Sequence, residues 1–491
     1  LRKTEVLAKK RIGTSPEDDR PPSRRNGPAD VFLLPGQTVG ENGHLHLGGC
    51  DAVELARKYG TPLYVMDEAV IRERCREYTS ACRRHYPEDP GILPAYASKA
   101  FLNMTMARIA AQEGLGLDVV SGGELHTAVE AGFPTDRIVF HGNNKTPAEL
   151  KLGIEVQVGR FIVDNLEELE LLESLAAGSR GAVKPKVLLR VTPGVQAHTH
   201  DYVNTGIEDS KFGFTLRGEQ ALRAAARAAS SANLVLTGFA AHIGSQILET
   251  EPMGMVGRVM VEFAAEVRRR IGFVASELDL GGGLGVRYVP TDDPPSMDDF
   301  IGMAATTVRQ EAERLGLPLP GLIFEVGRAM VAEAGTTLYT VGGVKHIPGI
   351  RTYASVDGGM TDNPRLALYG SKYMAVLADR ADRAHHRTYA IAGRNCESGD
   401  MLIWRAKLPT LKAGDTLAVL CTGAYNYSMA SNYNRVPILP VVLVHDGQAD
   451  LIVKGQTWAD MTANDLLPAR FAERNLRFAS AGAAGRRAGA D

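Results

Sequence analysis

A chain of 491 residues, 44% of them hydrophobic, can bury a sizeable core and carry more than one domain. Its 55 basic and 57 acidic residues leave a formal charge of −2, which gives no reason to expect a nucleic acid or a membrane surface as partner. The longest apolar runs, such as Val441–Val444, are far too short to span a bilayer, and the five cysteines are too sparse and irregular for a disulfide framework.

Residues 1–30 are charged and proline-rich with no apolar period and are expected to be disordered. They contain no apolar signal-peptide core, so a reducing, cytoplasmic setting is the expectation. Because the chain opens on Leu1 and not on Met, an upstream piece is expected. Residues 31–66, including "TPLYVMD", are expected to add strands to a β-rich region that comes later in the chain.

From 67 to 335 short apolar runs alternate with amphipathic helical stretches. The strand candidates are Ile92–Ala97, Leu115–Val120, Ile138–His141, Phe161–Asp164, Lys186–Val191, Val235–His242, Glu277–Leu280 and Leu322–Glu325. A helix fits each interval, for example Leu102–Gln112, Glu124–Ala131, Leu166–Ala176 and Val256–Arg270. One more precedes the first strand: Asp67 caps it, and Ile71, Cys75, Tyr78 and Cys82 recur at helical spacing. Eight strands alternating with helices predict an α/β fold of the (β/α)8 TIM-barrel type. From 336 to 475 the helical period fades. "TTLYTVGGVKHI", "TYASVDGG", "TYAIAG", "DTLAVLCTG" and "VPILPVVLVHDG" predict a C-terminal all-β domain, sandwich or barrel-like. The small, low-complexity residues 476–491 are expected to be a disordered tail.

A barrel of this type carries its chemistry at the C-terminal ends of the strands. The residues placed there are Lys99, Asp118, His141, Arg190, His242, the Gly281-Gly282-Gly283 turn and Glu325. Lys99, in "AYASKAFLN", is a charge in apolar company. Partial desolvation would weaken its preference for the ammonium form and make it a candidate amine nucleophile. It could form a Schiff base with a carbonyl substrate or with pyridoxal phosphate, and the rest of the rim favours the second.

"LDLGGGLGV" sets three glycines straight after a strand, a turn in which backbone N–H groups approach a phosphate unobstructed; a plain tight turn is the alternative. "FEVGRAM" adds Gly327 and Arg328 as an anion clamp, while Glu325 against a pyridine nitrogen would keep the ring protonated. In "AAHIGSQI", His242 could stack on a flat ring and Ser245 could meet the phosphate; a satisfied core histidine is the alternative. The pairs His44/His46 and His198/His200 lie in loops without companion carboxylates at ligand spacing, so no metal is expected.

Together with "GLDVVSGGEL", "HGNNKT", "GIEDSKFGF", "SVDGGMTDNPRLALYG", "CESGD" and "GAYNYSMASNYN", these motifs stand in the order of one family. From about residue 45 to 470 the chain resembles the diaminopimelate decarboxylases. These belong to the alanine-racemase-like pyridoxal-phosphate enzymes that also include ornithine and arginine decarboxylases. The resemblance implies that Lys99 holds pyridoxal 5'-phosphate and that His242 lies over the ring. It implies that Gly282, Gly327 and Arg328, with Ser245 and Tyr425, bind the phosphate side, and that Glu325 meets the ring nitrogen. It also implies a homodimer in which Cys396 crosses over as the acid in a neighbour's site. Arg328, Arg365, Tyr369, Glu397 and Tyr425 are implied as substrate contacts.

Guanidinium groups suit a distal carboxylate and Glu397 a distal ammonium, which favours meso-2,6-diaminopimelate over the diamines' precursors. The activity implied is its decarboxylation to L-lysine and CO2, the last step of lysine biosynthesis. The alternatives are a sister decarboxylase acting on ornithine, arginine, lysine or a modified amino acid, and a cofactor-binding regulator without turnover. Val326 and Leu366 stand where the family commonly has proline.

Overall fold

In the computed structural model, residues 31–87, 89–178, 183–195 and 210–472 are described. The expectations for residues 1–30 and 476–491, for His198 and His200, and for the first half of "GIEDSKFGF" lie outside them.

Eight parallel strands close into a barrel: Ile92–Ala97, Gly116–Val119, Ile138–Phe140, Arg160–Val163, Lys186–Thr192, Val235–Ala240, Glu277–Asp279 and Gly321–Val326. Each pairs with the next, and the eighth returns to the first through Leu322 beside Ile92 and Val326 beside Tyr96. Every expected strand is present, with ends displaced by no more than two residues. Phe214–Thr215, not foreseen, pairs alongside Val191 and Thr192 at the end of the fifth strand.

Helices fill all seven intervals and an eighth precedes the first strand. That one, Glu68–His85, starts where Asp67 accepts a hydrogen bond from the N–H of Val70 at 3.2 Å. Asn103, Ser121 and Ser296 cap in the same way, and Thr146 with Glu149 forms a reciprocal capping box. Each such side chain satisfies an N–H that the first helical turn leaves without a partner.

Side chains alternate across a strand, so each barrel strand gives one set to the helices and one to the barrel axis. The outer set merges with the helices into the main core. The inner set forms its own small layer of Val139, Ile162, Leu188, Ala240 and Ile323, with Leu93 packed against it. Below that layer Arg160 of the fourth strand reaches across to Glu277 of the seventh, its Nε 3.0 and 3.1 Å from the two carboxylate oxygens. This bidentate pair closes the N-terminal end of the barrel and leaves the other end for chemistry.

After the eighth strand the chain builds a mixed sheet. Its spine is the long strand Gly335–Ile347, which pairs antiparallel with Leu63–Asp67 and Thr416–Leu420 along its first half and with Arg351–Val356 along its second. Arg387–Ala392, Met401–Leu408, Val441–His445 and Gln448–Val453 extend it on both sides. The strand expected in "TPLYVMD" thus lies inside this sheet. The residues before it form a separate three-stranded sheet, Gln37–Val39, Leu45–Leu47 and Cys50–Asp51. There His46 stands in a strand, and His44 Nδ1 meets Asp51 at 2.8 Å, which corrects the reading of an isolated loop pair. Described residues up to Gly455 form one compact unit; from Gln456 a second unit carries the short helix Ala469–Ala472. No helix among the described residues is long and apolar enough to cross a membrane.

Candidate active site

Two residues beyond each member of the inner layer, the same alternation brings a polar side chain to the open end of the barrel. Val139 leads to His141, Ile162 to Asp164, Leu188 to Arg190, Ala240 to His242 and Ile323 to Glu325. Asp118 and Asp279 stand one step lower on the second and seventh strands, in register with Val139 and with Ala240 and Ile323 of the inner layer. Apolar below and ionisable above is a consequence of strand period and strand length.

Lys99 follows the first strand on a single helical turn, Ser98–Ala100. Its ammonium is paired with Asp118, whose side chain is almost wholly buried. Burial works against the charge on Lys99, but Asp118, with Tyr425 and Glu325 further off, outweighs it and holds the lysine above its ordinary value. The desolvated, readily neutral amine expected from the apolar neighbours is therefore corrected: one buried carboxylate reverses the sign.

The carbonyls of Lys99 and Ala100 are also tied to the second sheet's loop, through Ser428 Oγ at 2.8 and 3.0 Å and the N–H of Tyr425 at 2.8 Å. The "GAYNYSMAS" loop is in this way fastened to the lysine's own backbone.

On the eighth strand, which pairs with the one that leads to Lys99, Glu325 is buried with His141, whose Nε2 lies 2.5 Å from Glu325 Oε1 and 3.6 Å from Asp279 Oδ2. Burial and the negative Asp279 push Glu325 up, while His141 pulls it back. His242 is held neutral, its pKa pushed down to about 3 by burial and by the cations Lys99 and Arg190. Its Nδ1 accepts from the N–H of Gly282 at 3.3 Å, so the glycine turn anchors the ring. A Cβ at Gly282 would stand 2.0 Å from the carbonyl oxygen of Glu325, so no side chain fits there. At Gly327 it would meet Ala97 Cβ at 2.9 Å. Both glycines hold loops against neighbouring backbone.

A second cluster adjoins the first. Arg328, buried, donates from Nη2 to Ser245 Oγ at 2.7 Å and from Nη1 to the Tyr288 hydroxyl at 2.6 Å. Tyr425 stands between two guanidinium groups, its ring 4.9 Å from that of Arg328 and 5.2 Å from that of Arg365. Arg365 also lies 5.2 Å from the ring of Tyr369. Neither Arg328 nor Arg365 has an ion pair among the described residues, and the Nε of each is buried without a hydrogen-bond partner. Buried arginines that lack a carboxylate are prepared for an anion.

Cys396 and Glu397 are exposed on the turn between Arg387–Ala392 and Met401–Leu408. Their hydrogen bonds stay within that turn and with Asn434, and the structure does not bring them to the rim of their own barrel.

Several participants were missed. Asp118, His141 and Arg190 had been placed on the rim without a role. Lys145, in the quoted "HGNNKT", is buried with Glu168 at 2.8 Å. Asp279, the last residue of the seventh strand, and Tyr288, in the loop after it, carried no signal beyond their position.

A pyridoxal phosphate asks for an amine, an acceptor for its ring nitrogen and donors for its phosphate. Lys99 supplies the first, and buried Glu325 beside Asp279, one of whose oxygens has no hydrogen-bond partner, supplies the second. Ser245, Arg328 and the side-chain-free glycine turn supply the third. The residues fit the group.

Comparison with known proteins places these features in context. Residues 68–332 match the family model described as the pyridoxal binding domain of pyridoxal-dependent decarboxylases. The diaminopimelate decarboxylase of Bacillus subtilis is 49% identical over 436 residues, 89% of this chain and 98% of that protein. That of Mycobacterium tuberculosis is 41% identical over 437 residues, 86% of this chain and 95% of that protein. The crystal structure of diaminopimelate decarboxylase from M. jannaschii in co-complex with L-lysine superimposes with a TM-score of 0.83 at 33% identity, covering 89% of this chain and all of that one.

Proposed function

The chain belongs to the diaminopimelate decarboxylases, and from that premise we propose that its barrel rim converts meso-2,6-diaminopimelate to L-lysine and CO2, the last step of lysine biosynthesis. The observation that carries the substrate assignment is the pair Arg328 and Arg365, both buried and without an ion pair among the described residues, on either side of Tyr425. A substrate that keeps a second carboxylate after the first is lost needs such a clamp, and ornithine or lysine has no use for it.

Pyridoxal phosphate, when bound, supplies the electron sink for the pair left behind as CO2 departs. Lys99 is the residue that would hold it, through its side-chain amine. Asp118 keeps that amine in place at the rim. His242, kept neutral, can lie against a cationic ring without charge repulsion. Glu325 would accept from the ring nitrogen, and Ser245 and Arg328, with Gly282 and Gly327 keeping the loops close, would hold the phosphate end.

The proton delivered to the α-carbon comes from Cys396 of a second copy, and Glu397 beside it receives the distal ammonium. Tyr369 packs on Arg365 and orients it toward the distal carboxylate. This reading makes the enzyme a homodimer with shared sites. It is supported by the exposed position of Cys396 and Glu397, whose hydrogen bonds stay within their own turn and with Asn434. A cytoplasmic location accords with the exposed free thiol of Cys396.

The test is Lys99→Ala with a visible spectrum and a substrate panel. We expect loss of the lysine-bound cofactor's absorbance and of turnover in the variant. In the wild type, CO2 release should occur from meso-diaminopimelate and not from ornithine or arginine. Faster release from ornithine would replace this assignment with a diamine-forming decarboxylase. A wild-type chain that binds cofactor but turns over none of the panel would point to a regulator.

A further inference from the structure

Among the described residues, two carboxylates of the rim have a histidine as their ion-pair partner, and it is the same one: His141 lies 2.5 Å from Glu325 and 3.6 Å from Asp279. Asp118 has Lys99 and Asp164 has Arg190, the latter at 4.0 Å. His141 instead reaches Glu325 from the third strand, across the barrel mouth, with its side chain 9% exposed and that of Glu325 4%. Its backbone N–H is bound to Val119 O at 2.8 Å, which fixes the residue just past the strand end.

We propose that His141 is a positioning residue that keeps Glu325 an ionised hydrogen-bond acceptor for the cofactor's ring nitrogen. This rests on the reading of Glu325 given above and adds to it the group through which Glu325 stays charged.

The argument is one of charge balance in a dry site. Asp118, Asp279 and Glu325 converge from three strands, all buried. Like charges so close in low dielectric force a proton onto one of them unless a cation intervenes. Glu325 is the member pushed upward, by burial first and then by Asp279. A protonated Glu325 would lose the negative charge that favours a protonated ring nitrogen and would offer its O–H to an unprotonated one, and the ring would lose its pull on electrons.

The groups that face His141 are Asp118 from the second strand, Asp279 from the seventh, Glu325 from the eighth, His242 from the sixth and Glu168 from the helix after the fourth. Lys99 and Arg190 complete the rim, and Lys99 is already paired with Asp118. Burial works against an imidazolium at His141, but Glu325 and Asp118 outweigh it and hold it protonated beyond the ordinary histidine range. A donor of that charge at 2.5 Å from Glu325 Oε1 favours the carboxylate form.

The experiment uses holoenzyme whose link to Lys99 has been reduced with borohydride, so that ultraviolet absorbance reports the ring nitrogen's protonation without turnover. In His141→Gln, and in His141→Asn as a second variant, the midpoint of that titration should move to lower pH by about one unit. In the unreduced variants kcat should fall about tenfold while KM for meso-diaminopimelate changes much less. Placed on Glu325→Gln, the His141 change should add nothing.

An unshifted midpoint in both His141 variants, with Glu325→Gln still shifting it, would overturn the role of His141 and leave that of Glu325 intact. A midpoint unmoved by Glu325→Gln would overturn both. As a measurement without mutation, wild-type holoenzyme labelled with 15N-histidine should show an imidazole still doubly protonated at pH 8. If every histidine is singly protonated there, the proposal fails.

Discussion

Arg328 and Ser245, 83 residues apart in the chain, meet side chain to side chain at 2.7 Å. One follows the eighth barrel strand and the other the sixth, and the glycine turn after the seventh lies between their parent strands. This contact joins the end of the site assigned to phosphate to the cluster assigned to substrate, because Arg328 also borders Tyr425. Arg328→Lys keeps the charge but removes the two-pronged donor that spans Ser245 and Tyr288. Cofactor retention on dialysis, followed by visible absorbance, should weaken by roughly tenfold to a hundredfold, the worth of one charge-assisted hydrogen bond.

Arg365 is buried against aromatic rings and lacks a carboxylate partner among the described residues. Arg365→Ala should therefore act on diaminopimelate binding far more than on cofactor retention. Loss of one partner of a buried charge pair is worth about 2 kcal/mol or more. Steady-state kinetics should show KM rising by at least roughly tenfold. An equal loss of cofactor absorbance would mean that Arg365 serves the fold and not the substrate.

If Cys396 acts in the site of a second copy, two inactive variants can rescue each other. Lys99→Ala and Cys396→Ala should each show little turnover alone. Mixed after brief dissociation, they should form hybrids that retain one site with both residues intact, and part of the wild-type rate should return. No recovery, with hybrids verified by mass, would place Cys396 in its own chain's chemistry or outside it.

The folded protein holds His242 near pKa 3, below the ordinary histidine value that the unfolded chain has. Between those two values the unfolded state binds the proton and the folded state does not. Stability is therefore fully present above about pH 6.5 and declines as the pH falls toward 3. Urea unfolding of the wild type across that window should show the decline. His242→Asn, which has nothing to titrate, should show a shallower one.

Lys145 and Glu168 form a buried ion pair at 2.8 Å, and Lys145 also donates to the carbonyls of Gly142 and Ile162. Burial lowers the pKa of Lys145, and burial raises that of Glu168 to about 6 despite the lysine. Glu168→Ala leaves the ammonium without its counter-charge and should destabilise the barrel by about 3–5 kcal/mol in urea unfolding. The double change Lys145→Met with Glu168→Leu should recover much of that loss, because a pair removed together leaves no unpaired charge.

The sequence by itself determined the barrel and the register of its rim. Strand period two and helical period 3.6 are properties of local backbone geometry, so Ile92–Ala97 and the helix capped by Asp67 could be read directly. The same period placed Lys99, His242 and Glu325 at the strand ends. Ala375–Leu377 escaped notice because it is short, and Met401–Leu408 because the exposed pair Trp404 and Arg405 breaks its period of two.

What only the tertiary structure decided is which rim residues face one another and what charge each carries. His141 and Glu325 are 184 residues apart, and no local pattern links them. The charge of Lys99 was misjudged for the same reason: apolar neighbours in the chain suggested a neutral amine, while Asp118 on the next strand keeps it an ammonium. Protonation follows the electrostatic field at a point in space. In a barrel that field is assembled from eight strand ends that meet only when the sheet closes.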